Sequence, residues 1–260
     1  RFLVIALLSV SLAFNSASSL ANTDTQFRLA VRGAAILQTE GTAADITSGF
    51  VRTRPDSGSA YPAGVAIFGL RQNGVLITEA AVPAVAPAAT GRIYAEIGGG
   101  VDTGLAIANP NDLAADISFY FTNEAGVQVG QVGKLTLPAN GKTAKFLSQD
   151  PFNGAAPFLG TLTYTSTLPV GITALRGLTN SRNEFLITTI PVTPTSTSRN
   201  STILIPHFAD GGAWKTQVIL VNPTDASIGG TIRFLDNGTP AVEAAIISDT
   251  PYRIEPRSSF

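Results

Sequence analysis

The chain contains few residues that could carry out chemistry, and its only histidine is the first to consider. His207 lies in the stretch IPHFADGG, close to Asp210, so a Ser-His-Asp arrangement would need a distant serine. The Gly-x-Ser-x-Gly turn that exposes a nucleophilic serine is not found in the sequence. We therefore interpret His207 as a histidine at a strand end, packed beside Phe208, and we predict no catalytic residue.

A phosphate-binding loop is the second kind of site that the residues suggest. Residues 141–143 read Gly-Lys-Thr, as at the end of such a loop, but the glycine required five residues earlier is replaced by Thr136. Asn140 and Gly141 are instead typical of a turn between strands. Gly98–Gly100 does not complete a dinucleotide-binding motif, so we predict no cofactor.

Metal binding has little support in the composition. With one histidine and no cysteine, a zinc or haem site is nearly excluded, and we predict no metal ligands. The 18 acidic residues are scattered and include no calcium-loop motif. A loose calcium site near Asp102 or Asp210 stays open as an alternative.

Aromatic side chains could bind sugars, and sugars could be attached to the chain. Trp214, with Phe208 and Tyr94, is a candidate glycan contact, although we expect these rings to fill the core. Asn200 and Asn237 each begin an Asn-x-Ser/Thr pattern and are candidate glycosylation sites.

The low charge of the chain restricts its partners. Charged residues make up 13% of the chain, about half the usual share, and the net charge is −1. A nucleic-acid partner would need a basic stripe, which is missing. A surface so poor in charge favours association with copies of itself.

Residues 1–21, RFLVIALLSVSLAFNSASSLA, have the order of a secretory signal, with an apolar run followed by small residues. The run is shorter than the roughly 20 apolar residues of a membrane span, so no span is expected. Two interpretations are open: a signal peptide that is removed, or a retained apolar strand that includes Phe2 and Val4. We expect an exported protein, extracellular or at the cell surface.

Internal repeats are the strongest signal in the chain. TGLAIANPND, residues 103–112, aligns without a gap on TQVILVNPTD, residues 216–225. The match continues as far as Phe121 in the first copy, which aligns with Phe234 in the second. Each copy is predicted to be a strand, an Asn-Pro turn and a strand. Asp112 and Asp225 are predicted to bond the turn backbone.

A second kind of repeat links other regions. Residues 62–78 resemble residues 169–188, allowing a three-residue insertion, and residues 49–53 correspond to 160–164. Each copy is predicted to be a hairpin, and Asn73-Gly74 is a strong signal for a type I′ turn.

The two repeat types define the predicted organisation. The fold class is all-β, with immunoglobulin-like β-sandwiches in tandem, one complete central unit of seven or so strands and two complementary half-units. Pro-, Ala-, Ser- and Thr-rich stretches at 82–90 and 191–202 are predicted to be extended linkers. The segments are 1–21, a signal or apolar strand; 22–91, a partial sandwich with its linker; 92–192, the complete sandwich; 193–202, a linker; and 203–260, a second partial sandwich.

The stretches IPHFADGGAWKTQVILVNPT, YRIEPRSSF, GVAIFGLRQNGVLITEAAVPA and FLITTIPV carry a family resemblance. Over roughly residues 27–260, the chain resembles uncharacterised secreted tandem-repeat proteins of soil and environmental bacteria, in which two β-rich units alternate. The resemblance implies export and repetition and no particular chemistry.

The half-units are the basis of the functional expectation, because half a sandwich exposes an apolar face and unpaired edges. The stretch YRIEPRSSF, residues 252–260, aligns with FRLAVRGAA, residues 27–35. The halves could meet within one chain, between chains, or belong to a longer array. The candidate self-assembly residues are Phe2, Val4, Phe27, Leu29, Ile36, Tyr252, Ile254 and Phe260.

We expect an extracellular structural protein, a fibre or surface-array subunit that assembles head-to-tail by β-strand or half-domain complementation. The alternative is an adhesion or glycan-binding module of a secreted multidomain repeat protein. The expected partners are copies of the chain itself or surface glycans.

Overall fold

The computed structural model describes residues 26–39, 44–195 and 201–260. The regular elements of these residues are all strands, as the period-2 alternation predicts. The described residues form no helix that could cross a membrane. The chain divides into two compact units, Arg1–Thr47 and Ser48–Phe260. The strands are β1 (Val65–Gln72), β2 (Val75–Pro83), β3 (Ala88–Gly98), β4 (Val101–Ala108), β5 (Ala115–Asn123), β6 (Gln128–Leu137), β7 (Lys142–Phe146), β8 (Phe158–Thr179), β9 (Phe185–Ile190), β10 (Val192–Thr193), β11 (Ile228–Leu235) and β12 (Ile246–Ile254).

Strand β8 organises the largest sheet, which has the order β10-β3-β4-β8-β5-β6, with β7 paired to β4 and β9 paired to β8. Its first part, residues 158–166, pairs with β3 and β5. Its second part, residues 171–179, pairs with β4 and β9. Because one long strand belongs to both groups, the sheet curls like half a barrel and encloses a core between its two halves.

The core is built from alternate residues of these strands. Leu162 and Tyr164 of β8 point inward and pack with apolar side chains from β3, β4 and β5. The most deeply buried members of this core are Ile93, Ala95, Leu105, Ile107, Ala115, Ile117, Phe119, Leu147, Leu162, Val170 and Ala174. The eight strands β3 to β10 together form a sandwich-like β structure, close to the seven or so strands predicted.

Two hairpins lie outside the large sheet, β1–β2 and β11–β12. The first turns at Asn73 and Gly74, whose φ angles of 50° and 79° are those of the predicted type I′ turn. All residues of β1 are exposed. The Asn140 turn between β6 and β7 also forms as predicted, with a φ of 55°.

The stretch 203–221 precedes β11 and has no long strand beside it in the described chain. It corresponds in the repeat to β3 and β4, which in the large sheet are held by β8. Here only isolated bridges form, from Gly211 to Trp214 and from Val221 to Ser259. Because no β8-type strand among the described residues pairs with this stretch, its backbone forms these bridges in place of a continuous sheet ladder.

Residues 82–90, predicted to be a linker, are largely built into strands. Strand β2 continues to Pro83 and β3 begins at Ala88, so the connection between them is residues 84–87. The backbone N–H of Ala84 donates to Gly64 O, and Ala88 pairs with Val170. Proline is compatible with a strand end, where its missing N–H leaves no ladder bond unmade, so a proline-containing stretch can continue a strand.

Candidate functional site

The loop that follows β4, residues 109–113, is held by one buried asparagine. Asn109 is completely buried, and its amide Nδ2 donates to the carbonyl oxygens of Leu113, Leu137 and Pro138 at 2.8, 3.2 and 2.9 Å. Its Oδ1 accepts from the backbone N–H of Asn111 at 3.1 Å. One side chain therefore satisfies the loop and the turn after β6 together. We call this segment the Asn109 loop.

Residues 222–226 form the same bonds and are called the Asn222 loop. Asn222 is also completely buried, and its Nδ2 donates to the carbonyls of Ala226, Ile254 and Glu255 at 2.7, 3.3 and 2.9 Å. Its Oδ1 accepts from the backbone N–H of Thr224 at 2.9 Å. The sequence match between residues 103–112 and 216–225 thus corresponds to one hydrogen-bonded arrangement that occurs twice.

The aspartates of this motif do not play the role predicted for them. The turn backbone is bonded by Asn109 and Asn222, because an amide can both donate and accept, whereas a carboxylate only accepts. Asp112 instead accepts from Asn140 at 3.3 Å, and Asp225 lies near arginines. The signal for this role was in the sequence, as the asparagine before each proline.

The turn that follows the β11–β12 hairpin, residues 255–258, recurs at two other places in the chain. The copy at residues 30–33 explains why residues 252–260 align with residues 27–35. Residue Arg257 has a φ of 61°, and Ser258 N donates to Glu255 O. Arg32 also has a φ of 61°, and Gly33 N donates to Ala30 O at 2.8 Å. Residues 138–141 form the same turn around Asn140, a correspondence that the sequence alignment missed.

The outer face of β3, β5 and β8 is polar yet buried. It is formed by side chains that point away from the core, including Arg92, Thr122, Thr161 and Thr163, all at most 6% exposed. The Asn222 loop and residues 255–259 cover this face. Polar side chains on the outer face of a sheet normally contact water, but here they contact another segment of the chain.

Arg92 lies at the centre of that contact. Its Nε donates to Thr163 Oγ1 at 2.8 Å, and its Nη1 donates to the carbonyl oxygens of Asn222 and Thr224 at 2.6 and 3.3 Å. Its Nη2 is 3.7 Å from the exposed carboxylate of Asp225. Burial lowers the pKa of the Arg92 guanidinium, and neighbouring Tyr120 and Asp225 raise it.

The turn after β12 adds bonds to the same face. Thr161 Oγ1 donates to Arg257 O at 2.5 Å, Ser259 Oγ to Gly160 O at 3.2 Å, and Ser258 Oγ to Asn123 O at 2.9 Å. These contacts seat the turn beside the first residues of β8.

A corresponding contact joins residues 48–52 to the Asn109 loop. Arg52 Nη1 donates to Pro110 O at 3.0 Å and to Asn140 Oδ1 at 3.3 Å, and Lys142 Nζ donates to Ser48 Oγ at 2.6 Å. In the repeat alignment, residues 48–52 correspond to 159–163, so both contacts use equivalent surfaces. In each, an arginine donates to at least one backbone carbonyl of an Asn-Pro loop.

The structure separates the candidate self-assembly residues by exposure. Phe27, Leu29, Ile36 and Phe260 are exposed, whereas Ile254 is 1% exposed beneath the Asn222 loop. Tyr252 is half-buried, and its ring centroid is 6.1 Å from that of Phe260. Phe2 and Val4 lie outside the described residues.

The candidates for sugar contact fall on different surfaces. Trp214 is 72% exposed at the Gly211–Trp214 bridge, so the expectation that it fills the core is wrong, because none of the strands in the described residues covers residues 203–221. Tyr94 is buried, and Phe208 packs edge-on against Phe234 with centroids 5.1 Å apart. Asn237 is exposed, and Asn200 lies outside the described residues.

The remaining chemical candidates do not converge. His207 is exposed. Asp102 accepts a hydrogen bond from Ser148 Oγ at 2.5 Å. Burial raises the pKa of Asp102 above its ordinary value, and the bond from Ser148 offsets only part of that increase. Among the described residues, no group of three or more acidic or histidine side chains could hold a metal ion. Sequence reasoning overlooked Arg92 and Arg52, because isolated arginines on polar strand positions look like solvent-facing residues.

No protein-family model matches the chain, and no curated protein matches it significantly. Among solved structures, the crystal structure of Thermotoga maritima 1070 is similar over 42% of this chain and 95% of its own, with 18% identity and a TM-score of 0.35. A likeness at this level carries no conclusion about fold or function.

Proposed function

We propose that the protein is a non-enzymatic extracellular structural protein, a fibre or surface-array subunit built from immunoglobulin-like units in tandem. Copies assemble head-to-tail because the half-unit at residues 203–260 accepts residues 48–83, which belong to the half-unit at 22–91, of another copy. Export follows from the signal-like residues 1–21 and from the resemblance to secreted tandem-repeat proteins.

The single observation that carries the proposal is the exposure of apolar residues whose repeat counterparts are buried. Val51 is 89% exposed, whereas its counterpart Leu162 is fully buried in β8. Val65 is 61% exposed, whereas its counterpart Ile172 is 4% exposed. Apolar surface of this kind favours association, since burying it releases ordered water.

The accepting side supports the same conclusion. Leu204 is 85% exposed, and within the described part of the chain no β8-type strand pairs with residues 203–221 as β8 pairs with β3 and β4. The donor side has the equivalent of that strand and of β9, in the form of residues 49–53 and the β1–β2 hairpin. Each half supplies the strands that the other lacks.

Electron microscopy and light scattering of the purified 260-residue chain test the proposal. We expect elongated particles whose mass rises with protein concentration. Monodisperse globular monomers at high concentration would rule the proposal out.

A pair of substitutions sharpens this test. Ile67→Lys places a charge on the exposed donor strand β1 and should prevent growth of the particles. Val132→Lys changes a similarly exposed apolar residue of β6, outside both half-units, and should leave growth unchanged. Equal effects of the two changes would indicate nonspecific aggregation.

Glycan binding is a second candidate, favoured by the exposed indole of Trp214. Tryptophan faces stack on sugar rings and are costly to leave in water. Glycan-array binding that is lost in Trp214→Ala and kept in Phe208→Ala would support it. An array on which the unaltered protein binds nothing would remove it.

A further inference from the structure

The two loop contacts each use one arginine, but they take it from different strands. Arg92 of β3 donates to the Asn222 loop, whereas Arg52 donates to the Asn109 loop. Arg52 corresponds in the repeat to Thr163 of β8. In the large sheet, Thr163 is the residue directly opposite Arg92.

The counterpart of Arg92 in the second half-unit is Ile205. In the large sheet the pair is Arg92 on β3 and Thr163 on β8, which we call the central pair. The half-units hold Ile205 at the position of Arg92 and Arg52 at the position of Thr163. The arginine has moved from one strand to the other. Such an exchange has a physical reason only if the two positions lie side by side, since one guanidinium there suffices and two would repel.

We propose that residues 49–53 of one copy lie antiparallel along residues 204–208 of a second copy, with Arg52 opposite Ile205. The inference rests on the proposed head-to-tail assembly and specifies its register. In this register Thr53 lies opposite Leu204, as Tyr164 lies opposite Gly91 in the large sheet.

The second part of the donor follows the same scheme. In the large sheet Leu105 pairs with Ala174, and Val101 pairs with Leu178. The equivalent positions are Val218 with Ile67, and Trp214 with Arg71. Ile67 and Trp214 are both largely exposed in the single chain and become covered in the pairing.

The connection between the two donor parts fits the bend of β8. The donor has residues 54–61 where β8 has residues 165–168, a longer connection that turns at Gly58, whose φ is 83°. This is the place where β8 passes from its β3 and β5 neighbours to its β4 and β9 neighbours. A loop there leaves both paired parts of the donor intact.

Disulfide trapping tests the register directly, because the chain has no cysteine of its own. Opposed residues of an antiparallel pair lie at about 4.5–5.5 Å between Cα atoms, within the range that a disulfide spans. Thr53→Cys protein mixed with Leu204→Cys protein should form disulfide dimers, and each protein alone should not. The double variant should form a ladder of covalent polymers on a non-reducing gel.

Two matched controls define the outcome. Val75→Cys mixed with Leu204→Cys joins positions that are not opposed in the proposed register, and it should give no dimer. A fast-migrating monomer from the double variant, with no dimer from the mixture, would show closure within one chain and would overturn the inference. Elongated particles without a 53–204 disulfide would also overturn it while leaving the proposed function standing.

A compensating substitution gives an independent readout. Arg52→Thr removes the donor to Pro110 O and should raise the protein concentration at which assembly is half complete. Adding Ile205→Arg recreates the central pair and should lower that concentration again. Failure of Ile205→Arg to restore assembly, with both variants folded by circular dichroism, would count against the register and not against assembly itself.

Discussion

At the scale of single residues, the two buried asparagines show why a repeated motif keeps its residue type. Asn109 and Asn222 each join a loop to a turn that is distant in sequence, through three donated bonds and at least one accepted bond. Neither aspartate nor alanine can make this set of bonds, because aspartate lacks the amide donors and alanine lacks both groups.

Replacing Asn109 by alanine should therefore destabilise the protein strongly. Each buried polar group left without a partner costs roughly 1–3 kcal/mol. Three carbonyls lose the bond from Asn109, and of these Pro138 O keeps a second donor, the Gly141 N–H. Chemical denaturation measures the free energy of unfolding. Asn237→Ala, at an exposed turn, is the control and should change it little.

Asn109→Asp should behave differently as pH changes. A buried carboxylate facing carbonyl oxygens is disfavoured when charged, so its folded-state pKa would be raised above the value of about 3.9 in the unfolded chain. A raised pKa means that stability is greatest in acid and falls as pH rises. A denaturation series that shows the opposite slope would contradict this description of the loop.

Tyr164 gives a pH dependence in the unaltered protein. Burial raises the pKa of this core tyrosine to about 12. The unfolded value is about 10, so the fold retains the proton, and its stability falls as pH rises from about 10 to about 12. Tyr164→Phe should lose less stability across that window than the unaltered protein, as chemical denaturation at a series of pH values would measure.

At the scale of elements, β8 determines how the large sheet closes. It pairs with β3, β4, β5 and β9, and its first part is buried on both faces, by the core and by the Asn222 loop. A strand buried on both faces tolerates little change in side-chain volume on either face, because close-packed neighbours leave no free space. The backbone approach at Gly160 is the tightest example in this strand.

Gly160→Ala should separate β8 from β5. A Cβ at Gly160 would meet Thr122 O at 2.1 Å, and the φ of 154° is unfavourable for other residues. Overpacking typically costs about 1–3 kcal/mol, and a backbone neighbour cannot move aside, so the loss should reach the upper end. Gly49→Ala, at the equivalent position with nothing within 4 Å, should leave the thermal midpoint unchanged.

The Arg92 contact is the second element-scale feature that can be tested. Arg92→Ala removes the donors to Asn222 O and Thr224 O, so residues 222–226 should exchange amide hydrogens faster. Arg182→Ala removes an exposed ion pair with Glu184 and should not alter exchange there. Unchanged exchange in the Asn222 loop of Arg92→Ala would show that the bonds of Asn222 and of the Arg257 N–H hold the loop without Arg92.

At the scale of the whole molecule, one tryptophan can report assembly. Trp214 is the only tryptophan in the chain and is exposed. Its counterpart Val101 is 7% exposed, so the proposed pairing would bury the indole. We expect the fluorescence maximum to move to shorter wavelength as protein concentration rises, and Ile67→Lys should abolish the change.

The repeat pattern also accounts for how the parts of the large unit are joined. Two related contacts occur: Arg52 bonds the Asn109 loop, and Arg92 bonds the Asn222 loop beside residues 159–163, which bond the turn after β12. Strands β2 and β9, which correspond in the repeat, also meet, since Ile187 N donates to Thr78 Oγ1 at 3.0 Å. Repeating the same contacts between copies would give a regular fibre, since each copy would add to the next in the same way.

The sequence by itself determined the all-β class, the turns and the equivalence of the repeats. Alternation with period 2 is local, and Asn-Gly and Asn-Pro dictate backbone angles through their own chemistry, so the Asn73 and Asn140 turns and the matched Asn109 and Asn222 loops were predictable. The tertiary structure alone decided which polar faces are covered. Alternation separates the two faces of a strand but does not say what lies against each face. Arg92 is buried because a segment more than a hundred residues away covers it, and Trp214 is exposed because no strand of the described residues lies beside it.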